Sequence, residues 1–362
     1  MPEQMLVAMS GGVDSSVAAA LLHEQGYDVV GVTLEVWGKE VCSSAGSRLC
    51  CSVRDTLDAK AVAKRLGIRH EVLNVAETFR ATVIDGFLSS YRQGLTPNPC
   101  ITCNDHIKFG ALLQHAEARG ISAIATGHYA RLTHAAAGER HVLRRAVDPS
   151  KDQSYVLFDL TQTQLARARL PIGELKKSEV RALAADLGLV TAEKPESQDL
   201  CFIRDGKKDG FLRRELRVAE EPGPITDTAG RVLGAHRGVL GYTIGQREGL
   251  GLAVGHPLYV IAIDPAKNRL VVGSKQDLLR VSMQVAQVNW VSIEPLTSPR
   301  SASVQIRSGH QAAAARLIPQ VDAQVRVEFE QPQSAITPGQ AAVFYEADVV
   351  LGGGWIKHVH SP

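Results

Sequence analysis

The apolar positions of the N-terminal half change period repeatedly. Met5–Met9 is a short apolar run that reads as a buried strand. Ser10–Ser16 is small, Gly-rich and polar, and from Ser15 onward Val17, Ala18, Leu21 and Leu22 fall at helical spacing. The alternation then continues. Asp28–Val36 reads as a strand, Trp37–Cys51 as a loop, and Thr56–Gly67 as a helix whose Ala59, Val62, Ala63 and Leu66 share one face. Arg69–Val75 reads as a strand and Glu77–Tyr91 as a helix. A Pro-broken loop, Leu95–Asn104, comes next, then a helix over Ile107–Arg119. Ile121–Ala125 reads as a strand, ending in Thr126-Gly127-His128-Tyr129. This order predicts an α/β fold with a doubly wound parallel sheet, whose ligands sit beyond the C-terminal ends of the strands. The Ser10–Ser16 loop, Leu34, the Gly127 turn and the Cys-bearing loop all fall at that edge.

Two short strands flanking Ala135–Arg140 suggest a hairpin, followed by a polar turn at Lys151-Asp152-Gln153. Helices are expected over Thr161–Arg169 and Lys177–Leu187, then a Pro-marked segment, Glu193–Ile203, that carries Cys201. Arg204–Arg217 holds six basic against three acidic residues, as an exposed helix face or a phosphate contact. Glu220–Pro224 reads as a linker. Beyond it the pattern shortens to Val232–Val239, Leu258–Ile263, Arg269–Val272, Val285–Ile293, Val304–Arg307, Gln324–Phe329, Ala341–Phe344 and Gly354–Val359, separated by Gly and Pro. That spacing predicts a small β-rich middle domain and a C-terminal β-barrel. The expected domains are 1–203, 204–275 and 276–362.

The length of 362 residues fits two or three domains, and 44% hydrophobic with 22% charged residues fits a soluble globular chain. A net charge of +2 does not by itself call for nucleic acid, so such a partner must be held by a local patch. The last domain has six Lys/Arg and seven Asp/Glu, so it is not a basic clamp. No apolar run reaches membrane-spanning length and no signal pattern opens the chain. Six cysteines then point to reduced thiols in the cytoplasm, used for chemistry or metal.

The first loop carries chemistry. Gly11 and Gly12 allow close backbone approach, and loop amides ahead of a helix N-terminus cradle anions. Ser10, Ser15 and Ser16 add hydroxyls. Asp14 is a helix-capping residue or a magnesium ligand. No Lys is present, so the loop is not a Walker A motif. Ser-Gly-Gly-x-Asp-Ser after a first strand instead resembles the PP-loop of ATP pyrophosphatases, which direct an acceptor to the α-phosphate of ATP and release pyrophosphate.

Asn98-Pro99-Cys100-Ile101-Thr102-Cys103-Asn104 reads as a loop just before a helix, which predicts thiols of lowered pKa. A Cys-x-x-Cys fits redox chemistry or half a zinc site. Zinc needs two more ligands, and Cys42, Cys50 and Cys51 match no zinc spacing, so they read as unpaired loop thiols. His358 and His360 alternate on the final strand and read as solvent-facing.

SGGVDSS, the TPNPxxxCN loop with IKF after it, ATGHYAR, KDQSY, SQDLCFI, YTIGQREGLG, and TPGQAAVFY with LGGG occur in this order. Together they resemble the tRNA 2-thiouridine synthetases, the MnmA/TrmU family, from the first strand to the last. The resemblance implies that the wobble uridine of a tRNA anticodon loop is adenylated at its C2 oxygen by ATP with Mg2+, and that sulfur then replaces AMP. It implies ATP binding by Ala8, Met9, Ser10, Gly11, Gly12, Val13, Asp14, Ser15, Leu34 and Gly127. Cys103 matches the catalytic cysteine and Cys201 the persulfide carrier. Asn98, Pro99 and Cys100 match the stretch beside the target base. His128, Lys151, Asp152, Gln153, Arg307, Ser308 and Gln340 match tRNA-contacting positions.

Two positions depart from the family pattern. Asp usually stands where Cys100 is, and an aromatic where Ser308 is, which removes a stacking surface. Cys100, Cys103 and Cys201 are therefore also candidate ligands of a [4Fe-4S] cluster, a second mechanism beside persulfide relay. A sulfur-relay protein or cysteine desulfurase is the implied sulfur donor. The alternative reading is a PP-loop ligase or synthase that adenylates a small molecule; a non-catalytic RNA- or metal-binding module is the rival from another class.

Overall fold

The computed structural model describes residues 2–37, 50–134, 136, 139–196, 200–203 and 208–360. Cys42, Gln198, Asp199 and the Arg204–Lys207 part of the basic run lie outside these.

Five parallel strands form the first sheet in the order β3-β2-β1-β4-β7: β1 Gln4–Ala8, β2 Asp28–Glu35, β3 Arg69–Asn74, β4 Ala123–Ala125 and β7 Ala168–Arg169. Alternation splits β1 between two cores. Met5 and Val7 pack with Val17 and Ala18 of α1 (Val13–Glu24) and with Val180 and Ala184 of a later helix, Lys177–Asp186. Leu6 faces the opposite core with Phe109, Leu112 and Ile124. Burying such a side chain contributes about 1.5–3 kcal/mol, so the sheet is held from both faces as a doubly wound architecture requires.

Several boundaries differ from expectation. The helix expected from Thr56 begins at Cys50, as α2 (Cys50–Leu66), so Cys50 and Cys51 lie in a helix and not in a loop. α3 (Ala76–Phe79) runs through a π-helical segment, Arg80–Ile84, into α4 (Asp85–Arg92). The Leu95–Asn104 loop also needs correction. Asn98 caps α5 (Pro99–Cys103), accepting the Cys100 amide at 3.1 Å, with Pro99 in the first turn. A π-helical segment, Asn104–Ala111, continues α5 into α6 (Leu112–Glu117). α7 (Gln162–Arg167), α8 (Lys177–Asp186) and α9 (Lys208–Leu216) complete the described helices.

The middle unit is a four-stranded sheet of β8 (Gly223–Thr226), β9 (Val232–His236), β10 (Tyr259–Asp264) and β11 (Arg269–Gly273), in the order β10-β11-β8-β9. The expected linker Glu220–Pro224 thus runs into a strand, with Pro224 near its start, where a missing amide is tolerated. The C-terminal unit is a barrel of β12 (Leu279–Asn289), β13 (Arg300–Gln305), β14 (Ala313–Gln320), β15 (Gln324–Ser334), β16 (Ala341–Glu346) and β17 (Val349–His360), closed by pairing of β12 with β17. Of these, β14 had no counterpart in the sequence pattern. The expected early hairpin exists as β5 (Ala130–Thr133) and β6 (Val142–Arg145), and it joins the barrel sheet through Val349↔Arg144. Among the described residues no helix is long and apolar enough to cross a membrane.

Both later units grip the segment that leads into α5. A Cβ on Gly94 would lie 2.6 Å from Pro265 of the middle unit. The Thr96 amide donates to the Pro338 carbonyl at 3.0 Å, and Gln340 donates to the Thr96 carbonyl at 2.8 Å.

Candidate active site

The loop between β1 and α1 is shaped by its own side chains. The Ser15 hydroxyl accepts the Ser10 amide at 3.2 Å and donates to the Gly12 carbonyl at 3.1 Å, while Ser16 donates to the same carbonyl at 2.8 Å. Gly11 has φ +72°, and a Cβ there would lie 2.1 Å from the Asp55 carbonyl oxygen. Ser10 is exposed and Gly12 and Asp14 half-buried, whereas Met9 and Val13 are buried in the core. Ala8 ends β1 and Leu34 lies near the end of β2, so both stand at the same sheet edge.

Asp14 is neither a cap nor free for a metal here. Gly12 holds the cap position without a side-chain bond. The Asp14 carboxylate accepts Lys177 at 2.7 and 2.8 Å and the Tyr129 hydroxyl at 2.8 Å. Lys177 also pairs with Glu196 at 2.7 Å, and Glu196 with Lys151 at 2.7 Å. These two ammonium groups pull the Glu196 carboxyl down to about 2. Lys194 donates to the Gly11 carbonyl at 2.8 Å and pairs with Asp55 and Asp58. The loop lacks a lysine of its own, and the α8 region brings two to it. Sequence reading missed both, because neither lies near the loop along the chain.

The thiols form the second half of the site. Phe202 sits among Phe79, Phe87 and Phe211, with centroids 6.0, 5.2 and 5.4 Å away. Cys103 packs against this same cluster, which includes Leu200 and Ile203. Cys201 is thereby fixed beside α5, close enough that charge on Cys103 and Cys100 opposes its ionisation. Cys100 and Cys201 reach solvent and Cys103 is half-covered.

The expected lowered thiol pKa values are not found. Desolvation by the surrounding protein raises all three thiols, Cys201 to about 12, and outweighs the helix start near Cys100 and Cys103. The opposing influence is Lys108, whose ammonium lowers each of them. Lys108 lies 3.3 Å from His128 Nε2, and His128 Nδ1 lies 2.7 Å from the Thr126 hydroxyl. Burial and Lys108 hold His128 well below its ordinary range, so it is neutral and can accept from Lys108. Lys108 belongs to the Ile-Lys-Phe stretch visible in the sequence, but its partner comes from the far end of β4. Lys108→Met is expected to lower the thiol-dependent rate about tenfold at pH 7 and to move the pH–rate profile upward, with Lys108→Arg restoring it. An unmoved profile would count against this role.

The residues after β4 join the two halves. A Cβ on Gly127 would lie 2.6 Å from the Ser15 amide nitrogen, so Gly127 packs on the start of α1. His128 turns to Lys108, whose charge acts on the thiols, and Tyr129 returns to Asp14.

The structure also places the other expected contact residues. His128 is 5% exposed with both ring nitrogens engaged. The Asp152 carboxylate is buried on Arg145, the Ala146 amide and Ser154, and Gln153 accepts the Tyr129 amide. Both hold the fold. Asn98 and Pro99 start α5. Arg307 and Ser308 are exposed on the barrel, and His358 is exposed as expected. Among the described residues no group of three or more His, Cys, Asp or Glu side chains is set to hold a metal ion. Cys100 and Cys103 stand near enough to Cys201 to act on its ionisation.

Asp159, beside Asp105 and near this helix, is raised to about 6 by desolvation and then by Asp105. A raised carboxyl favours the folded state only while protonated. That contribution is complete below the ordinary carboxyl value of 3.8 and is lost as pH rises through about 6. Asp159→Asn is expected to stabilise the protein by about 1–2 kcal/mol at pH 7.5, discounted for partial exposure, and by little at pH 4. Urea midpoints at the two pH values check this.

Sequence-family models match the whole arrangement in order. The tRNA methyl transferase HUP domain covers residues 3–205, the tRNA methyl transferase PRC-barrel domain 209–274 and the aminomethyltransferase beta-barrel domain 280–356. The tRNA-specific 2-thiouridylase MnmA of Moorella thermoacetica is 49% identical over 354 residues, which is 98% of this chain and 99% of that protein. The protein of the same name from Desulforamulus reducens is 47% identical over 356 residues, 98% of this chain and 97% of that one. That from Roseiflexus castenholzii is 50% identical over 367 residues, 98% and 99% of the two. With three matched domains in sequence and relatives of this identity along the whole length, the chain belongs to the tRNA-specific 2-thiouridylase MnmA family.

Proposed function

We propose that the protein is an ATP-dependent tRNA sulfurtransferase that converts a wobble uridine to 2-thiouridine. The observation that carries this reading is the Thr126–Tyr129 segment, which packs on the ATP-type loop through Gly127 and, through His128, meets Lys108, whose charge acts on all three thiols. Activation and sulfur delivery then occur within one cleft.

A uridine C2 oxygen leaves poorly until it carries AMP. The Ser10–Ser15 amides and hydroxyls receive phosphate oxygens, and Lys177 and Lys194 supply the positive charge that the loop lacks. Mg2+, held mainly by phosphates and water, would neutralise the leaving pyrophosphate, and Asp14 would join it only by giving up its bonds to Lys177 and Tyr129. The target base must be splayed from the anticodon loop to reach this edge.

Sulfur arrives as a persulfide on Cys201, loaded by a sulfur-relay protein or cysteine desulfurase. Its terminal sulfur attacks C2 and AMP leaves. The Cys103 thiolate then attacks the inner sulfur, releasing 2-thiouridine and forming a Cys103–Cys201 disulfide, which a dithiol resets. An iron–sulfur cluster on Cys100, Cys103 and Cys201 is the second mechanism, and none of these steps depends on it. Nucleoside mass spectrometry of tRNA incubated with protein, ATP, Mg2+ and a sulfur source tests the reading. 2-Thiouridine is expected only when ATP is present, and its absence would reject the proposal.

A further inference from the structure

The persulfide route leaves Cys201 tied to Cys103, and Cys201 cannot accept new sulfur until that bond opens. Cys100 is a free thiol one helical turn before Cys103, on the same face of α5, and it is exposed. Residues at i and i+3 of a helix lie about 5–6 Å apart at Cβ, slightly beyond the disulfide range. Cys-x-x-Cys in a first helical turn is the arrangement of dithiol oxidoreductases. The geometry points to Cys100 as a resolving thiol that transfers the disulfide from Cys103–Cys201 to Cys100–Cys103 after each round. This rests on the persulfide reading above.

The step balances as thiol–disulfide exchange. Cys100 loses its proton to solvent, and its thiolate attacks Sγ of Cys103. The Cys103–Cys201 bond breaks and Cys201 leaves as a thiolate, with no net oxidation. An external dithiol then supplies two electrons and two protons to the Cys100–Cys103 disulfide and is itself oxidised. Proximity favours the exchange. Cys100 and Cys103 share one short helix, whereas Cys201 comes from a distant segment, so the new ring closes at higher effective concentration. The exchange moves one negative charge from Cys100 to the freed Cys201, and the Lys108 ammonium favours the thiolate at either sulfur.

The test is one turnover without reductant. Protein carrying a Cys201 persulfide is mixed with ATP, Mg2+ and a tRNA transcript, quenched by alkylation, and mapped by non-reducing peptide mass spectrometry. The expected product is an internal Cys100–Cys103 disulfide with Cys201 alkylated. Cys100→Ser should instead retain a Cys103–Cys201 cross-link, and its ratio of multiple- to single-turnover rate should fall about tenfold at limiting dithiol. A wild-type Cys103–Cys201 cross-link with Cys100 alkylated, alongside normal 2-thiouridine, would overturn the resolving role and leave the parent reading intact. No 2-thiouridine from the wild type would overturn both.

Discussion

Cys201→Ser is expected to reduce 2-thiouridine formation by about a thousandfold or more, while tRNA-dependent release of pyrophosphate continues. Serine is nearly isosteric with cysteine, and Phe202, not Cys201, anchors the segment among Phe79, Phe87 and Phe211. The fold should therefore survive. A hydroxyl can neither carry a sulfane sulfur nor be displaced from a disulfide, so chemistry downstream of adenylation stops. Quantitative nucleoside analysis beside a pyrophosphate assay separates the two half-reactions. Residual thiolation within tenfold of wild type would show that another residue carries the sulfur. Loss of both half-reactions with an unchanged melting curve would tie Cys201 to the adenylation step instead.

Gly127→Val is the other large effect, and it acts on the first half-reaction. Its Cβ would lie 2.6 Å from the Ser15 amide nitrogen and 2.7 Å from the Asp14 carbonyl carbon. Both atoms are backbone, so the start of α1 must move and the Ser10–Ser15 cradle moves with it. ATP affinity is expected to fall about 100-fold, equivalent to about 2.7 kcal/mol. Gly86→Ala is the matched control. It lies within α4, and a Cβ there meets nothing within 4 Å. It should leave ATP affinity unchanged and stabilise the helix by up to about 1 kcal/mol. Equilibrium ATP binding and melting curves on the two variants decide the matter, and equal affinities would exclude the packing argument.

The cysteine-bearing segment shows where local reading stopped. Pro97 and Pro99 suggested a broken loop, yet a proline in the first turn of a helix is favourable and Asn98 supplies the cap. The strand that contains Pro224, β8, was missed by the same habit, because Gly and Pro near a strand start look like a linker. β14 was invisible for a different reason. Its Ala313–Gln320 run is bulk-poor, and its place is set by β13 and β15 on either side. The expectation of acidic thiols failed on magnitude. Desolvation raises all three thiols, and the charge of Lys108 opposes it only in part.

By itself the sequence determined the parallel sheet, the loop–helix after its first strand, the barrel at its end and the candidate thiols. Each of these is written in local periodicity or in contiguous motifs. Tertiary structure decided which charges serve those groups. Lys108, His128, Lys177 and Lys194 act across gaps in the chain, and Coulomb forces depend on distance in space, which spacing along a chain does not encode.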